Sequence, residues 1–402
     1  MFLGEIMAYK YDILEISDRA KIDKENGNIV IDGCLGTFRN DAHTLISFPS
    51  VTEYLTRCSN ENLDYTRILG PKTFASALGH WIFNKDYLEI TKNKNIFTAA
   101  TIGGTGAIYD IFKYFSDNDG AALVSDICWP NYFTIGKNTG LEIFSYSLFE
   151  EKRFNLSGLE LALNEALKTH DHVLIVINDP CQNPTGYSLT NEEYTSIFSI
   201  LDRYNNNAKS VDIIFDTAYI EFYAKKPLLY EFLKPNYKFN VYLAFSASKT
   251  FGIYGLRLGA LLGFMKSKEE KIFVENSISD IARGSISSPN AQAIGTLTAL
   301  FNSDRAVEKM RLNLVDEKTY LAERASKSIK IMKSNSIEFL PFDSGFFITI
   351  ISPKNAYALC DQLEKMHIYL VPISDQLIRI AICSLSVGEI ELIAKAIKNF
   401  GF

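Results

Sequence analysis

Lys249 stands in the stretch 245–259, FSASKTFGIYGLRLG, where a strand-like run ends in two small serines and Arg257 follows eight residues later. An ordinary lysine amine ionises near ~10.4 and is a poor nucleophile at neutral pH. Apolar surroundings and a neighbouring cation leave it partly neutral and able to attack a carbonyl. Taken alone, Ser246-Ala247-Ser248-Lys249 reads sooner as a strand end whose lysine leaves for solvent, and it is the rest of the chain that overturns this. Asp216 closes another apolar run, 211–215, and Tyr219 follows it. A carboxylate at the end of a buried strand needs a partner, and the protonated nitrogen of a pyridine ring is one that fits. Tyr219 can donate to a phenolic oxygen on the same ring. Separately, the two also read as a strand cap and a rim aromatic.

Three further stretches carry chemistry. Thr101-Ile-Gly-Gly-Thr-Gly106 precedes an amphipathic helix, so its glycines admit close approach of backbone N–H groups and the helix start favours an anion such as phosphate. The spacing matches neither G-x-G-x-x-G nor a P-loop, and simple turn chemistry also accounts for it. Trp129-Pro-Asn-Tyr132 places an aromatic at a strand exit, where it can stack on a flat ring or join the core. In NDPCQNPTG, 178–186, two prolines and a glycine fix the backbone so that Asn183 can present its amide to a ligand oxygen.

The elements that must position these residues follow from periodicity. Runs at 121–125, 142–146, 173–177, 211–215, 240–245 and 258–264 read as strands, and 106–115, 156–168 and 191–204 as helices between some of them. This rhythm predicts an α/β fold with a mainly parallel sheet covered on both faces, whose ligands gather at the carboxyl ends of the strands. From 304 to 332 a charged helix pattern with Val307, Met310, Leu314 and Leu321 on one stripe reads as a spine between two lobes. Beyond it, a strand at 346–351, a helix at 355–366, a strand at 377–382 and a helix at 387–399 make a small α+β lobe joined by 29–38. The expected organisation is an N-terminal segment, 1–45, contributing to the small domain, a large domain, 46–303, and the linking helix with the small C-terminal domain, 304–402.

With 402 residues, 47% of them hydrophobic and 22% charged, the chain is sized for one large core and a smaller one. A net charge of −6 without a basic tract argues against nucleic acid as a partner. The six cysteines, at 34, 58, 128, 181, 360 and 383, have no C-x-x-C spacing and read as reduced thiols. His170 and His172 lack the further ligands of a metal site, so no metal is expected. Without a convincing signal segment or membrane span, a cytoplasmic protein is expected.

The series GGTG, WPNY, NPTG, DTAY, SASK and GLRLG, in this order, resembles the class I branch of the fold type I pyridoxal-phosphate-dependent aminotransferases, which includes the aspartate and aromatic amino acid enzymes. The likeness runs from about Ile29 to the C-terminus. It implies a seven-stranded, mainly parallel sheet, pyridoxal 5'-phosphate as cofactor and a ping-pong aldimine mechanism with 2-oxoglutarate as acceptor. Lys249 then matches the lysine that holds the cofactor and shuttles the proton, and Asp216 the partner of its ring nitrogen. Tyr219 and Asn183 match the donors to the ring hydroxyl. Gly104, Thr105, Ser246 and Arg257 match the phosphate cradle, and Trp129 the stacking aromatic. Tyr65 resembles a tyrosine that reaches the neighbour's phosphate across a homodimer interface. Arg379 resembles the clamp on the substrate α-carboxylate, and Gly36 a glycine whose backbone closes over the substrate.

Arg283 falls where dicarboxylate-using relatives keep an arginine for the distal carboxylate, donated by the other subunit. Arg283-Gly284 is also how a helix often ends. Tyr132 and Asn178 stand where histidines are common in the aspartate enzymes, and Ser287-Ser-Pro-Asn290 replaces a more typical Asn-Pro-Pro turn. A β-lyase or decarboxylase on the same cofactor, or a cofactor-sensing regulator, remain the alternatives.

Overall fold

The structure, a computed structural model, describes residues 10–57, 62–92, 94–205 and 209–400; Cys58 and the first nine residues lie outside them. Its largest sheet has seven strands: β1 (Asn95–Ile102), β2 (Ala121–Ser125), β3 (Glu142–Tyr146), β4 (His172–Asn178), β5 (Ser210–Asp216), β6 (Val241–Ser246) and β7 (Leu258–Met265). They lie in the order β1-β7-β6-β5-β4-β2-β3, with β7 antiparallel to both of its neighbours and the other pairs parallel. Six of these strands are the expected runs, within a residue at either end. The patterning singles out no strand at β1, because its centre, Thr98-Ala-Ala-Thr101, is built of small residues with little apolar contrast.

Successive residues of β4 enter opposite cores. Val173, Ile175 and Ile177 join one apolar cluster, and Leu174 and Val176 the other. Burial on both faces is why β4 reads as a continuous apolar run, with its polar side chains only where the strand ends. Helix α1 (Gly103–Asp117) follows β1 directly. The helix expected at 106–115 therefore begins three residues earlier, and Gly104 and Thr105 lie in its first turn rather than in a preceding loop.

A second sheet, β8 (Ile348–Ile351), β9 (Val371–Pro372) and β10 (Leu377–Ile380), is antiparallel throughout in the order β8-β10-β9. It packs on its own cluster, which includes Ile348, Ile378, Ile390 and Ile397. The strand expected at 377–382 stops at Ile380 because the Ala381 N–H turns away to the Gly33 carbonyl. The N-terminal segment joins this lobe through Ile31–Asp32, paired in parallel with Ile368–Tyr369. Helix α2 (Asp304–Ser334), 31 residues long, spans both cores: Met310, Leu314 and Leu321 pack on the large one, Ala325 and Met332 on the small one. The expected spine is thus one unbroken helix of about 46 Å at the usual rise per residue.

Candidate active site

Register brings the loops after the strands together. Asn178 at the end of β4 lies opposite Asp216 at the end of β5, Asp216 opposite Ala244, Ser246 opposite Gly259, and Leu258 opposite Ile102. Five separate stretches of sequence therefore open on one edge of the sheet, the carboxyl edge of its parallel strands.

Asp216 is 7% exposed. Its carboxylate accepts hydrogen bonds from the Tyr132 hydroxyl at 2.7 Å and from the Ala218 N–H at 3.1 Å. Burial pushes its pKa up, while the Tyr132 hydroxyl, the Ala218 amide and the charge of Lys249 pull it back. Lys249 sits on a one-turn helix, Ala247–Thr250, that starts where β6 ends. Its amine donates to the Gly36 carbonyl at 2.8 Å and lies 4.8 Å from the Tyr254 ring centre and 5.9 Å from that of Tyr219. Burial lowers its pKa to about 8, with Arg379 and Arg257 adding to the fall and Cys383 and Asp216 opposing it. The charge of each is felt by the other, Lys249 drawing the Asp216 pKa down and Asp216 drawing that of Lys249 up.

Next to them is a cradle for an anion. Gly103 takes φ +64°, and its N–H donates to the Arg257 carbonyl at 3.0 Å. A Cβ at position 103 would lie 2.7 Å from Arg257 Nη2, and one at 104 would lie 3.3 Å from the Ser246 Cβ. At 103 only glycine lets the first turn of α1 approach Arg257 this closely, and at 104 a side chain would crowd Ser246. The guanidinium is steered by Ser248 Oγ at 3.2 Å and the Tyr254 carbonyl at 3.1 Å. Thr105 stands in the same turn.

The loop after β4 is tied down from within. Asn178 Oδ1 accepts the Asn183 N–H at 2.7 Å, and the Asn178 amide donates to the Asp216 carbonyl at 2.7 Å. Asn183 Oδ1 accepts from Arg379 Nη1 at 3.3 Å, which leaves the Asn183 amide nitrogen as the free donor. Arg379, 4% exposed on β10, also donates from Nη2 to the Cys34 carbonyl at 2.5 Å and lies 4.5 Å over the Phe347 ring. Its Nε is buried without any partner, so the guanidinium retains an unmet donor. Gly36 packs against the tip of the Phe347 ring, which a Cβ would meet at 2.5 Å.

Lys249, Asp216, Tyr219, Asn183, Arg379, Gly36, Arg257, Ser246, Gly104 and Thr105 are thus placed around one edge of the sheet. Trp129 stands at its rim, edge-on to Tyr132 with ring centres 5.4 Å apart. Tyr65, 90% exposed, and Arg283, exposed in the last turn of Lys268–Ser285, lie on the surface of the single chain. Two neighbours of the lysine escape sequence reasoning. Tyr254, within the stretch 245–259, is not singled out by the sequence, yet its hydroxyl accepts the Phe38 N–H at 2.9 Å and its ring lies against Lys249. Cys383, in the turn after β10, has no distinguishing spacing. Among the described residues no cluster of His, Cys, Asp or Glu could hold a metal, and no helix is long and apolar enough to cross a membrane.

The donor set fits a phosphorylated pyridine aldehyde. One amine of lowered pKa stands for the aldehyde, one buried carboxylate for the ring nitrogen, and a glycine-opened helix start with an arginine for the phosphate.

The model of the family described as aminotransferase class I and II matches residues 29–397. The aromatic-amino-acid aminotransferase of Escherichia coli (strain K12) is 26% identical, over 98% of either chain. The cytoplasmic aspartate aminotransferase of Saccharomyces cerevisiae is 25% identical, over 91% of this chain and 89% of its own. Among solved structures, an aminotransferase from Anaerococcus prevotii superposes with a TM-score of 0.89 at 28% identity, covering 96% of this chain and 95% of that one.

Proposed function

The chain belongs to the aminotransferase class I and II family, and on that premise we propose that it moves the amino group of L-aspartate or an aromatic L-amino acid to 2-oxoglutarate, in two half-reactions at one site. It is a pyridoxal-phosphate-dependent aminotransferase of fold type I. The observation that supports the site assignment is that Lys249, its pKa lowered to about 8, and the buried Asp216 stand at the ends of the neighbouring strands β6 and β5 and feel each other's charge.

When bound, the cofactor supplies an aldehyde that condenses with amines and a ring that accepts the electron pair released at the substrate α-carbon. In the proposed roles, Lys249 holds that aldehyde covalently at rest. Its neutral Nζ, freed, would be the group that accepts and returns the proton of the substrate α-carbon. Asp216 keeps a proton on the ring nitrogen. Tyr219 and the free amide of Asn183 donate to the ring hydroxyl, and Trp129 covers one ring face. Gly104, Thr105, Ser246 and Arg257 hold the phosphate through the start of α1 and the fixed guanidinium.

Arg379 clamps the substrate α-carboxylate. Its unpaired Nε supports this role, because a carboxylate meets that donor and fixes the orientation of the α-carbon. Gly36, whose carbonyl already holds the Lys249 amine, closes the site from the N-terminal segment. Tyr65 and Arg283 serve the partner's site in a homodimer, a reading that their exposure on the single chain supports. Their reading is a phosphate contact and a clamp for a distal carboxylate. The separate apolar cores support a large domain over 46–303 and a small one formed by 304–402 with residues 1–45. A cytoplasmic location fits the buried free thiols of Cys34, Cys128, Cys181, Cys360 and Cys383.

The test is a panel of half-reactions, following the cofactor's visible absorption as Asp, Glu, Tyr, Phe, Leu or Ala is added without an acceptor. Conversion by Asp or an aromatic donor, reversed by 2-oxoglutarate, is expected. Release of ammonia or carbon dioxide with no need for an oxo acid would overturn the proposal.

A further inference from the structure

Tyr132 is 1% exposed, and its hydroxyl meets Asp216 Oδ2 at 2.7 Å, while the other oxygen is held by a backbone amide. Its ring stands edge-on to Trp129 at an interplanar angle of 84°. One side chain therefore touches both the carboxylate assigned to the ring nitrogen and the aromatic assigned to the ring face. It is anchored at the strand exit by its own N–H, which donates to the Trp129 carbonyl at 3.1 Å.

The groups that face Asp216 are few. Tyr132 comes from the helix Asn131–Thr139, Lys249 from Ala247–Thr250, Tyr219 from the turn after β5 and Ala218 from the same turn. Asn178 from β4 holds the main-chain oxygen. All five histidines are engaged elsewhere. His43 pairs with Glu389 at 3.2 Å, His170 lies 3.5 Å from Glu142, and His367 lies 2.6 Å from Asp23. His80 stacks on Tyr87 at 3.7 Å, and His172 opens β4 at the end remote from Asn178.

We propose that Tyr132 is the positioning residue of the ring-nitrogen contact: its hydroxyl keeps Asp216 ionised and oriented while its ring braces Trp129, and with no imidazole in this cluster the support does not switch off across neutral pH. A phenol donates at every pH where the enzyme works, whereas a histidine in its place would change charge near ~6.5. Two neutral donors, the Tyr132 hydroxyl and the Ala218 amide, offset the burial that would otherwise keep the carboxyl protonated.

This inference rests on the cofactor assignment above, so its test separates the two. The holoenzyme is loaded with pyridoxal phosphate isotopically labelled at the ring nitrogen, and nitrogen NMR follows that atom from about pH 6 to about pH 9. In the unaltered enzyme the ring nitrogen is expected to stay protonated throughout. In Tyr132→Phe, which keeps the ring against Trp129 and removes only the hydroxyl, the proton should be lost within that range, and kcat should fall by about tenfold to a hundredfold at little change in KM. Tyr132→His should restore a donor but make the signal pH-dependent near the imidazole pKa.

A ring-nitrogen signal in Tyr132→Phe identical to that of the unaltered enzyme would overturn the proposal. Should that variant fail to retain cofactor, a flat, unaltered pH response in Tyr132→His would overturn it equally. If the unaltered enzyme shows no bound, protonated ring at all, the failure lies with the cofactor assignment and not with Tyr132.

Discussion

The chemistry at residue scale turns on how burial redistributes protons. With its pKa lowered to about 8, Lys249 is half neutral at pH 8. An ordinary lysine is about 0.4% neutral there. A lowered pKa favours the uncharged, nucleophilic amine, so covalent capture of pyridoxal phosphate by the apoprotein should accelerate with rising pH and level off just above 8. Stopped-flow absorbance checks this, and a rate still climbing steeply beyond pH 9 would mean that the amine is not perturbed. At Arg379 the relevant quantity is the unmet Nε donor. Arg379→Lys removes the planar fork and should lower kcat/KM for every amino donor by about a hundredfold, the scale of ~3 kcal/mol for unpairing a buried charge. Arg283 should behave differently. Arg283→Gln should penalise Asp and Glu far more than Tyr or Phe, and an equal loss for all donors would make it structural.

Between elements, the site depends on β1 and β7 carrying α1 up to Arg257. Gly103 is the point of closest approach, with φ +64° and space only for hydrogen beside the guanidinium. Gly103→Ala combines about 1–2 kcal/mol of backbone strain with a displaced Arg257, so cofactor affinity measured by fluorescence titration should fall by at least about tenfold while the melting temperature changes little. Affinity unaltered by this change would mean that the cradle is not formed here.

The same elements show what the sequence can reveal. Strands β2 and β4 to β7 and the loops beside them were legible because strands buried on both faces are mostly apolar runs, and β4 and β5 end abruptly in the polar Asn178 and Asp216. Strand β1 was not, since small residues pack between two layers without leaving a periodic trace. Nor does patterning place the start of α1, because glycines that let a helix approach a ligand look like loop. Tyr254 was hidden for a related reason: its part depends on Phe38 and Lys249, which only tertiary folding brings to it.

For the whole molecule, the long helix α2 ties the two cores, and Tyr65 and Arg283 are exposed on the single chain. If sites are shared across a homodimer, mixing Lys249→Ala with Tyr65→Ala protein should produce hybrids that carry one intact site each. Activity of the mixture should then exceed the sum of the two alone, whereas strict additivity would place Tyr65 outside the partner's site. The account as a whole stands on the attachment of pyridoxal phosphate to one amine opposite Asp216. Borohydride reduction of the holoprotein followed by peptide mass mapping measures that attachment directly. The expected result is a single pyridoxyl group on Lys249; a group fixed on any other lysine, or on none, would contradict the account.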